Sequence, residues 1–248
     1  MKYLKFRYPL IWRLGCYGTA LLLSQMMFNP VYAYDYKVIE ISSSGTVSTG
    51  IAINNLGQVA GTDDNIRIWG DAYLYDPSGN KTTIMSIFPK LSNTDAKDLN
   101  DLGQVVGTVR PGYAQVCSIC ERGFRYKSGI MKAIPTLGGK LNTANGINNN
   151  GQITGQSLVA NNVAIHAYLY GSGIVTDLGT LGGMHSLGSG VNDYGQVTGA
   201  STLPGNPLSI PQNIGLAYSF TNYSATHAFL YDKGVRRQLP CPVWRQLS

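Results

Sequence analysis

The chain has 248 residues, of which 44% are hydrophobic and only 13% charged, with 30 glycines and 16 tyrosines. This Gly-rich, Tyr-rich and charge-poor balance fits an all-β chain, and no run shows helical periodicity. The formal net charge of +6 rests on 19 Lys and Arg against 13 Asp and Glu. All four charges in residues 1–33 are positive, so the rest holds 15 against 13, and only Arg122 with Arg125 and Arg236 with Arg237 come near the clustered basic face that a nucleic-acid binder would need.

Residues 1–33 read as a secretory signal. Lys2, Lys5, Arg7 and Arg13 form the basic start, Leu14 to Phe28 the apolar stretch, and Val31-Tyr32-Ala33 the small-residue cleavage site. The apolar stretch is about 15 residues, short of the roughly 20 that span a bilayer, and no later stretch reaches 18. After cleavage the chain is expected to be a secreted protein, extracellular or periplasmic, with no membrane span. The remaining residues, 34–248, are enough for a sizeable core.

Lys37-Val38-Ile39-Glu40-Ile41 opens this part as a candidate strand. A phrase then recurs four times: Ile53-Asn54-Asn55-Leu56-Gly57-Gln58-Val59-Ala60-Gly61, and again from Leu99, Ile147 and Val191. Its first glycines, Gly57, Gly103, Gly151 and Gly195, are 46, 48 and 44 residues apart, a period that marks repeated supersecondary units. Asn54, Asn100, Asn148 and Asn192 favour the first position of a tight turn, and each glycine accepts the left-handed conformation that closes it. The flanks are therefore predicted to be antiparallel strands.

A second phrase follows each turn: Ala72-Tyr73-Leu74-Tyr75, Gly123-Phe124-Arg125-Tyr126, His166-Ala167-Tyr168-Leu169-Tyr170 and His227-Ala228-Phe229-Leu230-Tyr231. Alternation puts Ala167 and Leu169 on one face and Tyr168 and Tyr170 on the other, so this strand is expected to be covered on both sides. A fourth strand is read at residues 173–178 and 130–134. The modules then run over about 42–91, 92–139, 140–183 and 184–240.

Four short strands per module predict an all-β, β-propeller-like repeat protein, with an open stacked-sheet array or β-solenoid as the alternative. The strand at 37–41 could complete the last blade and close the ring, removing exposed sheet edges. Against closure, the last module runs into Arg236-Arg237-Gln238-Leu239-Pro240-Cys241, either a capping strand or the end of a truncated array.

The two phrases, with Thr176-Asp177-Leu178-Gly179-Thr180-Leu181-Gly182-Gly183 and the shorter Ile134-Pro135-Thr136-Leu137-Gly138-Gly139, resemble the bacterial HAF-type extracellular repeat. The resemblance covers residues 36–234. It implies secretion and a β-rich repeat domain of mostly unassigned function, and it supplies no catalytic residues.

Little else points to chemistry. Cys117 and Cys120, in an insertion from Val109 to Glu121, read as a short-loop disulfide rather than a redox pair or half a zinc site, because no second CxxC or nearby His accompanies them. His166 and His227 hold equivalent positions occupied by Asp71 and Arg122 in the first two modules, which favours structural roles. His185 is a lone loop histidine. The turn Asn and Asp residues are too sparse for a calcium loop, and no cofactor is expected. The long insertion from Thr202 to Thr226 carries Tyr218, Phe220 and Tyr223, aromatic candidates for a ligand-binding loop.

The sequence thus points to a non-enzymatic binding or surface-interaction module whose partner, a glycan or protein at the cell surface, is contacted by loops at one end of the blades. A propeller enzyme acting on glycans or small metabolites is the alternative, and a fragment of a larger array a third reading.

Overall fold

The computed structural model describes residues 37–42, 47–64, 70–86, 92–111, 121–205 and 226–238. Sixteen strands among them form four antiparallel sheets. The first sheet holds β1 (Val47–Ile53), β2 (Val59–Asp64), β3 (Asp71–Tyr75) and β4 (Lys81–Ile84). The second holds β5 (Ser92–Leu99), β6 (Val105–Pro111), β7 (Arg122–Lys127) and β8 (Ile130–Ala133). The third holds β9 (Gly138–Ile147), β10 (Ile153–Val159), β11 (Ile165–Gly171) and β12 (Ile174–Gly179). The fourth holds β13 (Ser186–Val191), β14 (Val197–Thr202), β15 (Thr226–Asp232) and β16 (Val235–Gln238). Each sheet is a simple meander, its strands in chain order.

The sheets bury their faces on one another, so the core is a set of layers between modules. Ala60, Ala72 and Ile84 of the first sheet pack with Ala96, Val105 and Phe124 of the second. Val106 and Ile134 meet Ala144, Ile153 and Tyr168 of the third. Ala167 and Leu178 meet Val197 and Phe229 of the fourth. Adjacent residues of β11, Ala167 and Tyr168, thus serve two different layers, as expected of a strand covered on both sides. Tyr168 is fully buried, and its hydroxyl donates to Thr143 O at 2.8 Å. Burial pushes its phenol well above the ordinary tyrosine range.

Two expectations are corrected. Residues 37–42 form no strand, and the place that Lys37 to Ile41 would need beside β15 is taken by β16, with Phe229 paired to Gln238 and Asp232 to Val235. The segment after Asp232 is therefore the last strand of its own sheet. The second correction concerns closure. The first, second, third and fourth sheets pack in succession, but the fourth does not close on the first, and Ile53 remains 71% exposed where its counterparts Leu99 and Ile147 are 6% exposed.

A charged contact joins two strands of the third sheet. His166 Nδ1 lies 2.9 Å from Asp177 Oδ2, and Gly179 N donates to Asp177 Oδ1 at 2.6 Å. Partial burial raises the Asp177 carboxyl, but the bonds from His166 and Gly179 and the charge of Arg236 outweigh it and leave the group below the ordinary aspartate range. A carboxyl depressed by folding stabilises the native state above its unfolded value, about 3.9, and that contribution is lost as pH falls through the lower native value. Because the side chain is 44% exposed, solvent screening keeps the effect below about 1 kcal/mol. Asp177→Asn is expected to flatten the fall in stability below about pH 4, as read from urea midpoints at stepped pH.

Candidate functional site

The four repeated turns come together at one end of the array. In each, the asparagine side chain closes its own hairpin: Asn100 Oδ1 accepts from Leu102 N at 3.1 Å and Gln104 N at 3.0 Å, while Gly103 N donates to Asn100 O at 3.1 Å. Gly57, Gly103, Gly151 and Gly195 have φ of 74°, 68°, 74° and 75°, the left-handed region where a side chain is strained.

The same asparagines also join one module to the next. Asn54 Nδ2 donates to Asn100 O at 3.0 Å, Asn100 Nδ2 to Asn148 O at 2.9 Å, and Asn148 Nδ2 to Asn192 O at 2.7 Å. A second chain of bonds runs beside it through the following residue. Asn55 N donates to Asp101 Oδ1 at 2.8 Å, Asp101 N to Asn149 Oδ1 at 2.9 Å, and Asn149 N to Asp193 Oδ1 at 2.8 Å. Asn55 holds the Asp101 carboxyl below its ordinary range, its backbone N–H contributing most and its side-chain amide next. Between the second and third modules Asp98 Oδ2 also accepts from Ile147 N at 2.8 Å.

The first residues of the four turns line a cavity of about 350 Å³, with Asn55, Asp101, Asn149 and Asp193 on its polar wall. At the next turn position Leu56, Leu102 and Tyr194 project from the same end, 62%, 60% and 86% exposed. The result is a polar centre edged by apolar side chains on turns that their hydrogen bonds hold rigid. Such an arrangement suits recognition of a partner surface.

The other candidates are placed as follows. Cys117, Cys120, Tyr218, Phe220 and Tyr223 lie outside the described residues, as does the leader. His185 is buried, and its Nδ1 accepts from Ile165 N at 3.2 Å, a packing role. His227 sits on β15 opposite Ser201 of β14. Arg236 reaches across to Thr180 O at 2.9 Å, so it joins the fourth sheet to the third. No group of three or more His, Cys, Asp or Glu gathers among the described residues, and no helix among them is long and apolar enough to cross a membrane.

The sequence marked Asn54, Asn100, Asn148 and Asn192 as turn formers but not as links between modules. It also passed over Leu56, Leu102 and Tyr194. The available signal was the Asn, Asp, Asn, Asp alternation at positions 55, 101, 149 and 193, in which every carboxylate has an amide neighbour.

No family model matches the chain, and no curated protein does. Among solved structures it is similar to TolB from Acinetobacter baumannii, with a TM-score of 0.52 and 16% identity over 80% of this chain and 45% of that one. A TolB-like protein from Agrobacterium tumefaciens gives 0.49 and 13% over 75% and 62%. The chain thus spans about half the length of these neighbours. At such identity the likeness is one of fold alone, an all-β, β-propeller-like array of four-stranded sheets.

Proposed function

We propose that the chain is a secreted, non-enzymatic binding module of the HAF-type repeat family, and that its four-turn face engages a protein or glycan at the cell surface. The observation that carries this reading is the set of exposed apolar side chains, Leu56, Leu102 and Tyr194, mounted around a polar cavity on turns locked by inter-module bonds. Exposed apolar groups on a preformed frame lose little conformational entropy on binding, and an amphipathic tyrosine is suited to either kind of partner. The leader-like start and the linked repeat phrases support secretion and family.

The test is binding of fluorescently labelled protein to intact bacterial cells and to an immobilised glycan panel. The double variant Leu102→Asp with Tyr194→Asp is expected to lower binding at least about tenfold with an unchanged urea midpoint, since both side chains are exposed. Equal binding by the variant, or no binding by the unaltered protein to either target, would overturn the reading.

A further inference from the structure

The three junctions between neighbouring sheets are built alike. In each, a polar side chain near the start of one sheet's first strand clamps two backbone groups of the sheet before it. Thr94 Oγ1 accepts from Ala72 N at 2.7 Å and donates to Ile84 O at 3.0 Å. Asn142 Oδ1 accepts from Gly123 N at 2.9 Å while its Nδ2 donates to Ile134 O at 2.9 Å. Ser186 Oγ accepts from Ala167 N at 2.9 Å and donates to Gly179 O.

Two residues beyond each clamp stands a small residue, Ala96, Ala144 or Gly188. It faces the preceding sheet's second strand at Ala60, Val106 or Thr154 respectively. In the third junction the match is specific, because any side chain at Gly188 would collide with Thr154 Oγ1.

The open ends of the array are the two halves of a fourth such junction. Counting back from Ile53 as from Leu99, Ile147 and Val191 places Ser48 at the clamp position and Gly50 at the small position. At the other end Thr198 and Ala228 hold the places of Thr154 and Ala167. Ser48 and Gly50 therefore repeat Ser186 and Gly188, and Thr198 and Ala228 repeat Thr154 and Ala167. At these four positions the two ends carry the same residues as the third junction.

Exposure tells the same story. Ala60, Thr154, Ala72 and Ala167 are fully buried by the sheet that follows them, whereas Thr198 and Ala228 are exposed. Leu141 at the start of β9 is 2% exposed, and its counterpart Val47 is 58% exposed. Ser48 donates to Asp63 Oδ1, which leaves its oxygen able to accept from an incoming Ala228 N–H.

We propose that the first sheet of one copy docks on the fourth sheet of a second copy through this junction, Ser48 clamping Ala228 and Gly50 receiving Thr198. The contact is head-to-tail, so it either closes two chains on each other or continues into longer assemblies. It goes beyond the partner binding proposed above and does not depend on it. It covers apolar surface that each copy leaves exposed at both ends.

Light scattering coupled to size exclusion, on the purified chain at concentrations on the order of 10 µM, tests this with two blocking variants. Gly50→Arg adds a side chain where a Cβ meets nothing closer than Val59 Cγ1 at 3.5 Å, and Ala228→Arg adds one to an exposed site, so both are accommodated in the single chain. The unaltered protein is expected at twice the chain mass or more. Each variant alone is expected as a monomer, its association weakened at least about 100-fold. An equal mixture is expected to regain a pair, because the Gly50→Arg chain keeps an intact fourth sheet and the Ala228→Arg chain an intact first sheet. A monomeric unaltered protein would overturn the proposal, as would an assembly that survives either substitution or a mixture that stays monomeric.

Discussion

Asn100→Ala is expected to destabilise the chain by about 3–5 kcal/mol, while Asn192→Ala costs no more than about 1 kcal/mol. Both asparagines close the same turn, and both donate to the glutamine of their own hairpin, Gln104 Oε1 at 2.9 Å and Gln196 Oε1 at 2.7 Å. The difference lies in what stands beyond. Asn100 is 4% exposed, and its Nδ2 also bonds Asn148 O in the next module. Truncating it leaves the amides of Leu102 and Gln104 without their acceptor and takes from Asn148 O one of its two donors, Gly151 N remaining, at a residue that is almost wholly buried, so the desolvation penalties add to the lost bonds. Asn192 is exposed, and water can take over its partners. Paired urea titrations of the two variants measure the difference, and equal losses would show that the asparagines act only within their own turns. Since a domain of this kind has about 5–15 kcal/mol in total, the larger loss would remove a substantial part of the fold's margin.

The contrast also shows which layer of the fold the sequence exposes to a reader. Spacing alone gives the module length, and the Asn and Gly of each phrase give the hairpin, because both depend on chemistry within nine consecutive residues. The strand Val235–Gln238 is hard to read in the sequence because Arg236 and Arg237 stand where its counterpart Ile174–Gly179 has Val175 and Thr176. In the fold its pairing to Phe229–Asp232 decides the matter instead. Residues 37–41 erred in the opposite direction. Val38, Ile39 and Ile41 have strand character, but β propensity records a preference for a pleated, half-buried surface, and Val38 is 96% exposed.

The candidate site was legible only in part for a related reason. A residue that bonds its own turn can be recognised from its neighbours in sequence. The second role of Asn54, Asn100 and Asn148 is played 44 to 48 residues away. Seeing it requires laying the modules side by side and asking which positions face across a junction. Ser48 and Gly50 become informative in the same way, through the places they share with Ser186 and Gly188.

The second glycine of the repeated phrase carries the other large expectation. Gly107→Ala is predicted to cost about 3 kcal/mol, at the upper end for a single added methyl. A Cβ at Gly107 would run into Asp95 O on the neighbouring strand, and would lie 3.0 Å from Ala96 Cα and 2.9 Å from Phe124 Cε1. Two of these neighbours are backbone atoms and cannot rotate away. Relief would require β5 and β6 to separate at the register shift between Ala96 and Asp98. The same position in the other modules meets Thr49 O, Thr143 O and Leu187 O, so close approach of two strands explains the glycine in all four. Gly190→Ala is the control: a Cβ there finds only Thr198 Cγ2 at 3.9 Å, and the substitution is expected to be neutral or to stabilise by up to about 1 kcal/mol through the unfolded chain. Adding Phe124→Leu to Gly107→Ala separates the causes. If the carbonyl of Asp95 sets the glycine, shortening the ring restores no stability; recovery in the double variant would mean that the aromatic ring sets it, and that the glycine and aromatic phrases are coupled side chain to backbone rather than strand to strand.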